Sequence, residues 1–113
     1  MVGVSDVNAE LCIETASKYQ IHYFDEYKKL LECVDAVCVA VPTKLHHEVG
    51  MTCLKAGVHV LIEKPIAASI AEAESLVNAA ADLNCILLVG HIESFNPAFK
   101  ELHYHIPLFL SVI

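Results

Sequence analysis

The stretch Val58-His59-Val60-Leu61-Ile62-Glu63-Lys64-Pro65 decides how the rest of this chain is read. Its run of β-branched and aliphatic residues predicts a short strand covered on both faces. Glu63 and Lys64 then fall at the carboxyl end of that strand, the side on which open α/β sheets place their ligands. Pro65 cannot donate to a sheet ladder and pushes Lys64 away from helical geometry, so the strand ends there. A lysine fixed at such an edge can meet a substrate while its stem stays packed. Taken alone, the same residues also fit a solvated turn, and the surrounding sequence has to decide.

Working outward, residues 34–41 are almost continuously apolar and predict a second buried strand, closed by Pro42-Thr43. Residues 44–56 predict a helix stopped by Gly57 at the first position past its end. Downstream, Ser69 and Glu72 form a capping box that opens a helix to about Asp82. Residues 85–89 predict another apolar strand, ending at Gly90-His91, with a final helix starting near Asn96-Pro97. Upstream, residues 2–5 form a short strand with Asp6 at its tip. Asn8 caps a helix over residues 9–19, with Leu11, Ile13, Ala16 and Tyr19 on its inward face. Residues 21–24 give another strand, and Asp25 caps a brief helix through Leu31. Strands alternating with helices imply βαβ units, a mostly parallel sheet and right-handed crossovers.

Composition agrees with buried strands. Of 113 residues, 56% are hydrophobic and 19% charged, against roughly 45–50% and 25% in ordinary globular domains. The longest apolar runs fall far short of the roughly 20 residues a membrane helix needs. No basic segment followed by an apolar stretch opens the chain, so no secretory signal is visible and a cytoplasmic location is expected. A net charge of −7 without a basic stripe argues against nucleic-acid binding. The five cysteines lack Cys-x-x-Cys spacing and predict reduced, mostly buried thiols rather than a zinc site or disulfide framework. His103 and His105 have no companion ligands nearby and read as surface residues, so no metal is expected.

Several pieces together resemble a known family: residues 34–37 through Val41-Pro42-Thr43, then His46, then Glu63-Lys64-Pro65, then Gly90-His91 with Phe95-Asn96-Pro97. They resemble the glucose–fructose oxidoreductase and inositol dehydrogenase (Gfo/Idh/MocA-type) family. The resemblance implies NAD(P)-dependent oxidoreductases of sugars, nucleotide-linked sugars and cyclitols, with an amino-terminal Rossmann domain and a carboxyl-terminal α/β domain. It covers the chain to about Lys100. It departs from the family pattern in three respects. The usual first strand and Gly-x-Gly-x-x-Gly turn are not found, since Gly3, Gly50, Gly57 and Gly90 are scattered. The second domain is not found either. Ser94 stands where relatives usually carry arginine.

The expected fold is therefore α/β, an incomplete doubly wound parallel sheet lacking the first strand and Gly-rich loop. Residues 1–105 form the partial dinucleotide-binding domain, and the apolar tail 106–113 is expected to begin a truncated second domain. The place of the missing strand either stays as a gap in the sheet or is closed by direct pairing of the strands near Val4 and Val37, and direct pairing is expected.

By resemblance, Lys64 is the catalytic acid/base, taking a hydroxyl proton as hydride leaves the same carbon. A lysine does this once burial or nearby positive charge favours its neutral form. Glu63 lies near the nicotinamide ribose or orients Lys64, with a plain salt-bridged strand end as the alternative. The bond between Lys64 and Pro65 is a candidate cis peptide. Asp6 stands where a Rossmann fold holds the adenosine ribose, which favours NAD over NADP, or it merely helps start the helix at Asn8. Pro42, Thr43 and His46 are candidate cofactor contacts, with a plain helix N-cap the equal alternative for Thr43, and His47 reads as surface. His91, at another strand end, is a candidate for the nicotinamide side, with a structural turn histidine as the alternative. The resemblance implies a homo-oligomeric parent enzyme acting on a small sugar or nucleotide sugar, with this chain alone inactive. The competing reading is a non-catalytic α/β binding or interaction module.

Overall fold

The computed structural model describes residues 1–91. In order they form β1 (Gly3–Ser5), α1 (Ala9–Tyr19), β2 (His22–Phe24), α2 (Tyr27–Leu31), β3 (Ala36–Val39), a 3-10 turn (Thr43–Leu45), α3 (His46–Lys55), β4 (His59–Glu63), α4 (Ile70–Asp82) and β5 (Leu87–Gly90). The expected α/β order of elements is present. The helix expected near Asn96, the tail 106–113, and Ser94, Phe95, His103 and His105 lie outside the described residues.

Local chemistry sets most of the element boundaries. The Asn8 side chain accepts from the Leu11 amide at 3.1 Å and starts α1. Gln20, at φ 53°, ends it in the left-handed region. Ser69 Oγ accepts from the Glu72 amide at 3.3 Å. The Glu72 carboxylate reaches back to the Ala68 amide at 3.0 Å, one residue upstream of the usual capping-box partner. Gly57 holds φ +77° just past the end of α3, as expected of a C′ glycine. The expected cap at Asp25 is corrected, because Glu26 occupies the cap position of α2, without a side-chain capping bond. Asp25 instead pairs with Lys29 one turn on, at 3.0 Å. That pairing holds the Asp25 carboxyl below its usual range and lifts the Lys29 ammonium. Both groups lie in water, so the pair contributes little to stability.

The strands form two parallel sheets, β1-β2 and β3-β4-β5. The expected direct pairing of β1 with β3 does not occur. The reason lies in α2, which packs on β1 and β2 while burying Leu31 in the core of the larger sheet. A helix held by both sheets fixes their separation. Closing the sheets by a strand spacing of ~4.8 Å would drive Leu31 into residues that already fill that core.

In the larger sheet, Val37, Val60 and Leu87 are in register, as are Val39, Ile62 and Val89. Right-handed crossovers running in one direction put α3 and α4 on the same face. The expectation that β4 is covered on both faces is therefore corrected: Val60 and Ile62 are buried, while Leu61 and its neighbours Cys38 and Leu88 are exposed. The inward face of α1 is corrected as well. Cys12 and Ala16, one turn apart, are buried, whereas Leu11, Ile13 and Tyr19 are exposed. Leu11 and Ile13 are two residues apart and cannot share a helix face.

All five thiols are free, Cys12 and Cys53 buried and Cys85 half-buried, but Cys33 and Cys38 are exposed. The expectation of mostly buried thiols therefore holds only in part. Burial pushes the Cys53 thiol up to about 11.

The core centres on Leu54, Ile62 and Leu76, all fully buried. Gly50 faces them from α3, and a Cβ there would lie 2.8 Å from Ile62 Cδ1 and 3.1 Å from Leu76 Cδ2. Neither side chain has solvent into which it can retreat. Gly50→Ala should therefore destabilise the fold. Overpacking costs about 1–3 kcal/mol, more than the about 0.5–1 kcal/mol gained in helix propensity. Urea denaturation checks this, and a variant as stable as the parent would contradict the packing described.

Candidate functional site

Each candidate residue lies at or beyond the carboxyl end of a strand: Asp6 after β1, Pro42 and Thr43 after β3, Glu63 and Lys64 at the end of β4, and His91 after β5. Because β3, β4 and β5 are parallel, Thr43, Glu63, Lys64 and His91 share one rim of the larger sheet. Asp6 belongs to the smaller sheet. Its Oδ1 accepts from the Asn8 amide at 2.7 Å, so the helix-starting role is real. No described residue engages its second carboxylate oxygen.

Lys64 is exposed, and among the described residues it makes no ion pair. The bond joining it to Pro65 is cis, as the sequence allowed. Glu63 is half-buried, with Oε2 accepting from the Lys64 amide at 3.3 Å. Gly90 is its register partner on β5. A Cβ at Gly90 would stand 3.3 Å from the Glu63 carboxyl carbon and from both its oxygens. The bare backbone of Gly90 is thus the surface on which that carboxylate lies.

Thr43 is half-buried at the start of the 3-10 turn, and Pro42 is exposed, its carbonyl accepting from the Leu45 amide at 2.8 Å. His91 is exposed, and its amide donates to Val89 O at 2.8 Å. His46 differs from the other candidates in being only 1% exposed. Its Nδ1 lies 2.7 Å from Pro65 O and its Nε2 2.8 Å from Val41 O. Both ring nitrogens are thus engaged by backbone, and neither is left for a ligand. His47, expected at the plain surface, is half-buried, with Nε2 3.3 Å from Ser75 Oγ on α4. Among the described residues no cluster of His, Cys, Asp and Glu has a metal-binding arrangement. No described helix is long and apolar enough to cross a membrane.

Sequence reading missed the inward position of His46 and the packing of Glu63 on Gly90. The first had a signal. The buried residues of α3 are His46, Gly50, Cys53 and Leu54, a spacing of four, seven and eight that marks a single helix face. The second had none, since the register of β4 against β5 is not written locally.

The rim offers a hydroxyl, a carboxylate, an ammonium and an imidazole, which suit the ribose and ring of a nicotinamide nucleotide. The four glycines supply no pyrophosphate cradle: Gly3 is crowded by Phe24, Gly50 by Ile62 and Gly90 by Glu63. Gly57 precedes β4, at the opposite end of the strand from Lys64.

Comparison with known proteins identifies the family. The family described as "Oxidoreductase family, NAD-binding Rossmann fold" (GFO_IDH_MocA) matches residues 1–91. The chain belongs to this family. Among curated relatives, it is 38% identical over 102 residues to a UDP-N-acetylglucosamine 3-dehydrogenase of Acidithiobacillus ferrooxidans, covering 90% of this chain and 33% of that protein. A scyllo-inositol 2-dehydrogenase (NADP(+)) of Bacillus subtilis is 34% identical, covering 94% of this chain and 33% of the relative. The crystallised UDP-N-acetylglucosamine 3-dehydrogenase of A. ferrooxidans superposes with a TM-score of 0.87 at 37% identity, over 93% of this chain and 35% of that one. A 3-ketoreductase from Actinomadura kijaniata, solved with NADP and TDP-benzene, gives 0.88 at 26% identity, over 95% and 34%. The chain thus spans about a third of the length of the relatives it matches.

Gly90→Ala should displace the Glu63 carboxylate and loosen its bond to the Lys64 amide, while stability changes by no more than about 1 kcal/mol. The carboxyl carbon shift of Glu63 and the amide shift of Lys64 report this by NMR, and unchanged values would contradict the packing.

Proposed function

We propose that this chain is the nicotinamide-facing part of an NAD(P)-dependent oxidoreductase that moves hydride between the cofactor and a hydroxyl of a sugar, nucleotide sugar or cyclitol. The observation that carries the reading is the position of Lys64, just past β4, the middle strand of β3-β4-β5, on the rim that also holds Thr43 and Glu63. Membership of an NAD-binding oxidoreductase family supports this chemistry for the rim, and relatives named for a UDP-sugar and an inositol support the substrate class.

In this reading a bound nicotinamide would supply the hydride acceptor or donor. Lys64 accepts the hydroxyl proton as the carbon is oxidised and returns it in the reverse direction. Glu63, seated on Gly90 and bonded to the Lys64 amide, holds the strand end on which Lys64 stands. Thr43 offers its hydroxyl from the neighbouring strand end, and His91 flanks the site from β5. Asp6, with one carboxylate oxygen unengaged, would hold the adenosine ribose. A carboxylate there repels a 2′-phosphate, so NAD is the expected cofactor and NADP the weaker one. Relatives named for NADP make this preference a matter for direct measurement.

Fluorescence titration decides between a dinucleotide site and a non-catalytic α/β module. NADH emission should rise as the chain is added, and NADPH should bind about fivefold more weakly, the effect of one like charge about 4 Å away at an exposed site (about 1 kcal/mol). No response to either nucleotide would overturn the reading. In an enzyme carrying this domain, Lys64→Ala should abolish sugar oxidation, and retained turnover would remove Lys64 from the chemistry.

A further inference from the structure

His46 is the only buried polar residue among those described, and its bonding has no part in the chemistry proposed above. Its two partners are the carbonyl oxygens of Val41 and Pro65, at 2.8 and 2.7 Å. Carbonyl oxygens only accept, so a ring that bonds both does so through two N–H groups. The partners also have a shared position in the fold. Val41 lies two residues beyond the end of β3, and Pro65 two residues beyond the end of β4. Past the last ladder position, a carbonyl needs a new donor if it is to stay in place away from water. One side chain supplies that donor to both strand ends.

We propose that His46 is a positioning residue, a two-armed clasp that sets the separation of the β3 and β4 ends and so the placement of Thr43 relative to Lys64. Thr43 is two residues beyond one accepting carbonyl, and Lys64 immediately precedes the other. The clasp is itself held from behind. His46 opens α3, and four residues on, Gly50 is pressed against Ile62 of β4. The ring therefore has a fixed base from which to reach both loops. Glutamine cannot reproduce it, because both amide hydrogens are on one nitrogen and its other polar atom is an acceptor. The consequence for hydride transfer rests on the function proposed above, whereas the clasp does not.

The intact chain, at 12.4 kDa, suits direct detection by NMR. Long-range nitrogen–proton spectra of His46 should show N–H groups on both ring nitrogens, with couplings across the hydrogen bonds to the carbonyl carbons of Val41 and Pro65. A ring nitrogen resonating as an unprotonated acceptor, or lacking its coupling, would overturn the clasp. This arm needs neither cofactor nor variant, so it decides even where a variant fails to fold or NADH fails to bind.

NADH titration then tests positioning. His46→Gln should weaken binding at least tenfold. Leu76→Ala, which loosens the core without touching either loop, should change it less than twofold while folded. Equal weakening by both variants, or none by His46→Gln, would reduce His46 to a support of general stability. A parent chain that ignores NADH overturns the dehydrogenase reading and leaves the clasp to the ring spectra alone.

Discussion

The absence of a side chain at Gly50 lets α3 lie close against Ile62 and Leu76, where an added Cβ would crowd both. That contact fixes the helix on the middle strand of the larger sheet and on α4 at once. The first residue of α3 is then carried to the ends of β3 and β4, where His46 reaches Val41 and Pro65. Close packing in the core thus reaches the rim through one helix. The candidate residues do not hold themselves in place: Lys64 is exposed, and Glu63 rests on the bare backbone of Gly90.

The same crossovers that pack α3 and α4 on one face leave the other face of β3-β4-β5 with an in-register apolar row, Cys38, Leu61 and Leu88. The smaller sheet is a separate unit of two short strands, joined to the larger through α2 and the burial of Leu31. The candidate residues divide accordingly. Those suited to a nicotinamide ribose cluster on the larger sheet, and the carboxylate suited to the adenosine ribose lies on the smaller.

Much of this was legible in the sequence because the relevant signals are local. Asn8, Ser69 with Glu72, and Gly57 mark helix ends through bonds made within one turn. The apolar runs around Val37 and Val60 mark strands, and the Glu63-Lys64-Pro65 stop marks the rim. What escaped depends on contacts between distant residues. The apolar run of β4 does not say that both neighbouring helices fall on one face. The separation of β1 from β3 depends on where Leu31 lands, which no local pattern encodes. Asp25 satisfies a capping rule, yet a lysine one turn on takes its carboxylate. His46 was legible as a family match but not as a buried bridge, although its spacing to Gly50 and Cys53 places it on the inward face of α3. Gly90 as a seat for Glu63 required the strand register.

The central claim is that the carboxyl rim of β3-β4-β5 is the side that meets a nicotinamide nucleotide. Mapping amide shifts of the chain as NADH is added tests it most directly. The account predicts that the largest changes fall on Thr43, Glu63, Lys64 and His91. Changes concentrated at the opposite ends of the same strands, around Asp35, Val58 and Ile86, would contradict it.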